Sequence, residues 1–212
     1  MKAAQIKKYG DGKVVEINKN TLKPTLSTSK VLIEARAAGL NPVDWKIREG
    51  YLHQMMPLQF PVTLGGDFSG VIIEVGESVS GFKKGDEVYG QASVLSGGSG
   101  SFAEFISANA NLIAKMPKKL SYVEAAALPL AGISAWQALV EHINLSKGKK
   151  ILIHGGGGGI GTFAIQIAKY LGAYVTTTVN IDNKQYVKEL GADEIIDYKK
   201  QSFENLIKDY DA

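Results

Sequence analysis

The sequence predicts an α/β protein: a β-rich, barrel-like first part, then half of a doubly wound parallel sheet. Three observations carry that prediction. Short apolar runs broken by glycine, proline and Asp-Gly signals fill residues 1–120. From Ile151 onward, strand-like and helix-like patterns alternate, as they do in parallel sheets with crossover helices. Between the first such strand and its helix lies Gly155-Gly-Gly-Gly-Gly-Ile-Gly161. Its spacing, Gly156-x-Gly158-x-x-Gly161, is that of a turn built to approach a dinucleotide pyrophosphate.

Taken in order, the strand candidates of the first part are Lys2–Ile6, Val14–Ile17, Val31–Ala38, Val71–Val75, Glu87–Tyr89, Phe102–Ser107 and Leu112–Lys115. Asp11-Gly12, Gly65-Gly66 and Gly85-Asp86 punctuate them. Residues 41–51 read as a loop, and Ser96–Gly100 as a flexible hairpin tip. At Ser121 the pattern changes. Ser121-Tyr-Val-Glu124 is a capping box, in which Ser and Glu each satisfy a free N–H of the other's backbone. A short helix follows to Leu128, which Pro129 is expected to end, and a second helix spans Ile133–Ile143. The domain boundary is placed near residue 120, dividing the chain into 1–120 and 121–212. Strands are expected at Ile151–Ile153, Tyr174–Val179 and Glu194–Asp197, with helices after the glycine turn and near Asn183–Leu190. That is one mononucleotide half, so the second domain reads as partial.

Composition narrows the function classes. Net charge is +3, from 24 Lys and Arg against 21 Asp and Glu, which argues against nucleic acid or a membrane surface as partner. The basic clusters Lys115–Lys119 and Lys147–Lys150 read as solvated loop ends. No cysteine is present, so disulfides, cysteine-held zinc and thiol nucleophiles are excluded. A reducing, cytoplasmic setting is expected, and the longest apolar stretch, Ala125–Trp136, is too short for a membrane span.

The glycine turn makes the chain a candidate dinucleotide binder. Gly156, Gly158, Gly159, Ile160 and Gly161 would offer the pyrophosphate bare backbone and the positive end of a helix. Selection between cofactors lies about 20 residues on, where an acid would accept from the ribose 2′-hydroxyl of NAD. That place holds Asn180, with Thr177, Thr178 and Lys184 around it. Neutral donors and a lysine suit a 2′-phosphate, so NADPH is the expected cofactor. Asp182 keeps NADH open.

Ordered motifs along the chain resemble the medium-chain dehydrogenases/reductases. Ala37–Gly50, Gly65–Gly76 and Gly81–Gly90 resemble the GroES-like domain of that superfamily; Ala131-Gly-Ile-Ser-Ala-Trp-Gln-Ala-Leu139 and the glycine turn resemble its Rossmann cofactor domain. Within it the chain looks like the zinc-free quinone oxidoreductase, zeta-crystallin-like branch. The places where zinc alcohol dehydrogenases of the superfamily hold their catalytic metal are occupied here by Asn41, Gly66 and Leu130, a poor donor set for zinc. The three histidines, His53, His142 and His154, share no ligand-like spacing.

The resemblance implies hydride transfer from NADPH to a quinone or an α,β-unsaturated carbonyl without metal. Hydrogen bonds must then steady the oxygen that gains charge. Candidate donors are Asn41, Tyr51 and Lys46, of which Asn41 and Tyr51 match residues lining the branch's substrate cleft; the plainer reading of Lys46 is a solvated lysine. Asp44 and Asp67 read as braces, not acids or bases. Ser134 falls where the family sets a hydroxyl against the nicotinamide ribose or phosphate. A homodimer is expected by analogy. The alternatives are a nucleotide-binding module without turnover and, at a distance, a zinc alcohol dehydrogenase.

Overall fold

The computed structural model describes residues 1–212, which divide into two compact units, Met1–Leu130 and Ala131–Ala212. The first unit is antiparallel throughout. A three-stranded sheet orders β2 (Glu16–Asn18), β1 (Ala3–Ile6) and β4 (Val62–Thr63). A five-stranded sheet orders β7 (Phe105–Asn109), β3 (Lys30–Ala38), β5 (Asp67–Val75), β6 (Glu87–Gln91) and β8 (Ile113–Lys115). Alternate side chains of the long strands point inward, so Val31, Ile33, Phe68, Ile72, Val88 and Ile106 form one fully buried cluster. Each such side chain contributes about 1.5–3 kcal/mol. A second cluster, Ile6, Ile47, Val62 and Leu64, fastens helix α1 (Pro42–Glu49) to the small sheet.

Three local readings give way to the structure. Residues 41–51 are not a loop: α1 starts with proline at its first position, where a missing N–H is harmless, and ends at Gly50 with φ +84°. Pro129 does not merely end a helix. Helix α2 (Tyr122–Ala126) stops before it, and α3 (Pro129–Trp136) begins on it, running on as a π-helical turn through Gln137–His142. The strand expected at Val14–Ile17 begins only at Glu16, because Asp11 accepts the Lys13 N–H (3.0 Å) and winds Gly12–Val14 into a 3₁₀ turn. The capping box at Ser121 and Glu124 is formed. Because α2 packs beside β5, with Ser69 Oγ donating to the Tyr122 carbonyl (2.6 Å), it belongs to the first unit.

The second unit is a three-stranded parallel sheet in the order β11 (Glu194–Asp197), β10 (Tyr174–Val179), β9 (Lys150–His154). Helix α4 (Gly159–Tyr170) follows the glycine turn, and α5 (Lys184–Glu189) links β10 to β11. Ile151, Ile153, Ala164, Ile165, Ala168, Val175, Val179 and Val187 share one core, so α4 and α5 cover one face of the sheet. Small residues on α4, Ala164 and Ala168, let the helix lie close. Asp211 and Ala212 lie on the outer edge of β9, the Asp211 N–H donating to the Lys150 carbonyl (3.0 Å) and the Leu152 N–H to that of Ala212 (2.9 Å). No helix is long and apolar enough to cross a membrane.

Candidate functional site

In the first unit the polar centre is Asp67, 1% exposed at the start of β5. Three donors from three elements converge on its carboxylate. Asn41, the N-cap of α1, donates from Nδ2 (2.9 Å). Gln91, at the end of β6, donates from Nε2 (2.8 Å). The Leu130 backbone N–H, in the first turn of α3, donates at 2.9 Å. Asp44 sits one turn into α1, 7% exposed, and accepts the Asn41 backbone N–H at 2.7 Å. Burial pushes both carboxyls above the usual carboxylate range. At Asp67 the N–H donors counteract that rise; at Asp44 the nearby Asp67 adds to it. Asp44 thus holds the Asn41 main chain and Asp67 the Asn41 side chain.

A cavity of about 250 Å³ opens over this cluster. Asn41, Gly66 and Leu130 all line it, so the places matched to a zinc site do come together; Val43, Met56 and Leu95 supply apolar walls. Their combined offer to a metal is one amide oxygen, since the Asn41 nitrogen is committed to Asp67 and the other two have no ligating side chain. This donor set does not fit zinc.

The three sequence candidates for steadying an oxygen do not converge in this unit. Asn41 and Tyr51 lie at opposite ends of α1, about 12 Å of helix apart. Tyr51 is 68% exposed, its ring edge-on to Trp45 with centroids 5.4 Å apart. Lys46 is exposed on the same helix, its Nζ 5.7 Å from the Trp45 ring. Neither lines the Asn41 cavity. Gln91 was missed: one glutamine at a strand end carries no sequence signal, and only the register of β5 with β6, Asp67 opposite Gln91, reveals it.

In the second unit the turn is pinned to β10. The Gly155 N–H donates to Thr178 Oγ1 (3.2 Å) and the Gly156 N–H to the Thr178 carbonyl (3.2 Å). Gly155 has φ +67°, and the Gly158 N–H closes the turn on the Gly155 carbonyl (2.9 Å). The glycines divide by task. A Cβ on Gly156 would strike Thr177, and one on Gly161 would lie 2.7 Å from Gly156 Cα and closer still to the Gly155 carbonyl. Those two make the turn possible. A Cβ on Gly158 would meet only the Gly155 carbonyl, at 3.2 Å, and on Gly159 nothing nearer than 3.9 Å. Those two leave space open above the first turn of α4, whose N–H groups lack intrahelical partners. Ile160 stands 52% exposed beside them. Bare backbone, free N–H groups and a helix N-terminus fit a pyrophosphate.

Thr178 is buried and holds the turn from beneath, its hydroxyl also 3.1 Å from His154 Nδ1. Asn180 follows β10 and donates to Asp182 (2.9 Å), while Lys184 is exposed at the start of α5. Ser134 is half-buried on α3. Asn183, which the sequence did not single out, packs its amide against Gly157, where a Cβ would come within 2.7 Å.

Comparison with known proteins follows both halves. Residues 27–118 match the alcohol dehydrogenase GroES-like domain, and residues 159–211 the zinc-binding dehydrogenase family. The chain is 41% identical over 204 residues to a chloroplast envelope quinone oxidoreductase homolog of Arabidopsis thaliana, matching 94% of this chain and 61% of that protein. It is 41% identical over 218 residues to the 2-methylene-furan-3-one reductase of Solanum lycopersicum, matching 100% of this chain and 56% of that one. Among solved structures, the quinone oxidoreductase from Coxiella burnetii superposes with a TM-score of 0.88 at 37% identity, over 98% of this chain and 65% of that one. The Escherichia coli quinone oxidoreductase complexed with NADPH gives 0.83 at 27% identity, over 96% and 60%. The chain therefore spans a little under two thirds of the length of the proteins it matches.

Proposed function

The chain belongs to the medium-chain dehydrogenase/reductase superfamily, and from that premise we propose that its protein is an NADPH-dependent reductase of quinones or α,β-unsaturated carbonyls that works without metal. The observation that carries the proposal is the pairing of a pyrophosphate-ready turn with a cavity whose three metal positions are Asn41, Gly66 and Leu130. When bound, the nicotinamide cofactor supplies hydride chemistry. This chain's residues do the rest. The Gly158–Gly161 backbone grips the diphosphate, and Lys184 attracts the 2′-phosphate. Ser134 orients the nicotinamide side. Asn41 offers the substrate oxygen the second N–H of its amide, the one not given to Asp67, inside the apolar walls of Val43, Met56 and Leu95, which exclude water. Tyr51 and Lys46 act, in this reading, on the outer surface of α1 and not at the cavity floor. The quinone and enone names of the relatives support the substrate class, and the NADPH-complexed neighbour supports the cofactor.

One titration tests the reading. The 212-residue chain is expected to bind NADPH about tenfold more tightly than NADH, a difference of about 1.4 kcal/mol. Lys184→Glu should erase that preference. Equal binding of both cofactors would refute the role of Lys184, and binding of neither would refute the turn as a dinucleotide site. Adding a small quinone and following nicotinamide absorbance separates turnover from binding alone.

A further inference from the structure

We propose that Asp67 is a positioning residue that clamps the Asn41 and Gln91 amides and so fixes which of their polar atoms face the cavity. This deepens the reading above, since it concerns how the same cavity meets its ligand. A carboxylate only accepts hydrogen bonds. Whatever touches Asp67 must therefore turn a donor toward it. Asn41 turns Nδ2 (2.9 Å) and Gln91 turns Nε2 (2.8 Å). In each planar amide the carbonyl oxygen then points away from Asp67, and for Asn41 and Gln91 both residues line the cavity. A free asparagine or glutamine side chain would be indifferent to that flip. Here one buried carboxylate decides it for both.

The clamp also joins three elements at one point. Oδ2 takes Asn41 at the head of α1 and the Leu130 N–H in the first turn of α3, while Oδ1 takes Gln91 from β6. Asn41 is further held by its own backbone N–H on Asp44 (2.7 Å). With side chain and main chain both fixed, Asn41 loses little freedom when a ligand arrives. That is preorganisation of a binding group by neighbours that need not touch the ligand.

The pattern predicts which substitutions keep the clamp. In Asp67→Asn the new amide oxygen can stand at the Oδ2 place and accept from Asn41 and Leu130. Its NH₂ then faces Gln91, which turns over to present its own oxygen. Asp67→Ala has no acceptor to offer. Gln91→Glu alone sets two carboxylates face to face, and Asp67→Asn combined with Gln91→Glu restores an amide–carboxylate pair with the roles exchanged.

Proton–nitrogen correlation spectra of the full chain test this directly through the side-chain NH₂ signals. In the wild-type protein the Asn41 pair should be widely split, one proton shifted downfield by its anionic acceptor. The split should shrink but persist in Asp67→Asn and collapse in Asp67→Ala. Should the alanine variant not fold, the glutamate pair decides: Gln91→Glu should disturb the Asn41 signals, and the double variant should return them to the pattern of Asp67→Asn alone. A wild-type Asn41 pair at ordinary shifts, or one untouched by both Asp67→Ala and Gln91→Glu, overturns the clamp. The substrate reading is judged separately by adding cyclohexenone to the wild-type chain. Shifts at Asn41 and Gln91 support it. Their absence beside an intact clamp signature counts against the substrate, not against Asp67.

Discussion

Gly159→Ala and Gly161→Ala place the same added methyl two residues apart in the first turn of α4, with opposite expected outcomes. At Gly161 the Cβ would sit 2.7 Å from Gly156 Cα and closer to the Gly155 carbonyl. Both neighbours are backbone and cannot swing aside. They are also held, through the Gly155 and Gly156 N–H groups, to Thr178. Overpacking of this kind costs about 1–3 kcal/mol. Losing one of the two anchoring hydrogen bonds adds about 1 kcal/mol. Alanine's better helix propensity returns about 1 kcal/mol. The net expectation is a destabilisation of about 1–3 kcal/mol. At Gly159 the nearest atom is Ala131 Cβ at 3.9 Å, so only the propensity acts, and stability should hold or rise by up to about 1 kcal/mol. Nucleotide affinity should fall in both, because the Gly159 methyl would fill the space the pyrophosphate needs. The assay is urea unfolding in a Trp45→Phe background, which leaves Trp136 of the second unit as the sole tryptophan, alongside NADPH titration. Gly161→Ala matching the wild type in stability, or Gly159→Ala falling as far as Gly161→Ala, would refute the division of labour among the glycines.

Two further outcomes can be checked in the same background. Thr177 is fully buried, and its hydroxyl donates to the Ile153 carbonyl at 2.7 Å, so Thr177→Val should lower the urea midpoint by the equivalent of about 1 kcal/mol; no change would mean that the strand ladder alone satisfies that carbonyl. Asp193 is partly buried, which alone would raise its pKa, but the Lys169 ammonium at 2.7 Å and the Val175 N–H at 2.7 Å outweigh burial and lower it. A depressed folded-state pKa stabilises above the unfolded value of about 3.9 and loses that stabilisation as pH falls through the folded value. Lys169→Met should therefore cost under about 1 kcal/mol at neutral pH, the pair being about one third exposed, and the gap to wild type should close in strong acid. A gap that stays constant with pH would place its origin in packing of the lysine stem.

What the sequence made legible was whatever local chemistry forces. Gly155–Gly161 between an apolar strand and an amphipathic helix has few conformations open to it, and β10 and β11 fall where they were expected. Ser121 and Glu124 cap as their spacing requires. Helix α1 was hidden by its own composition: proline, aspartate and a tryptophan look like loop, although Asn41 at the cap, Pro42 at the first position and Gly50 past the end are start and stop signals. Pro129 stops one helix and is equally favoured at the first position of the next, so the residue alone does not announce that α3 begins on it. The cavity floor was half legible. Asn41, Asp44 and Asp67 could be singled out, but their convergence with Gln91 depends on strand register, and register is a property of the assembled sheet. Separation of Tyr51 from Asn41 follows once residues 42–49 are helical, because a helix spends only about 1.5 Å of length per residue yet points successive side chains apart.

Strand β10 carries hydroxyls at three successive positions, and each has a different appointment. Thr176 meets Tyr210 (2.5 Å), Thr177 the Ile153 carbonyl, and Thr178 the Gly155 N–H. Neighbouring side chains of a strand exit on opposite faces, so a one-residue shift would send all three away from their partners at once. The strand therefore carries its own alignment key. With β10 shifted by one residue the Gly155 N–H would lose its hydroxyl seat, so the shape of the turn that would receive an anion depends on the register of its neighbouring strand.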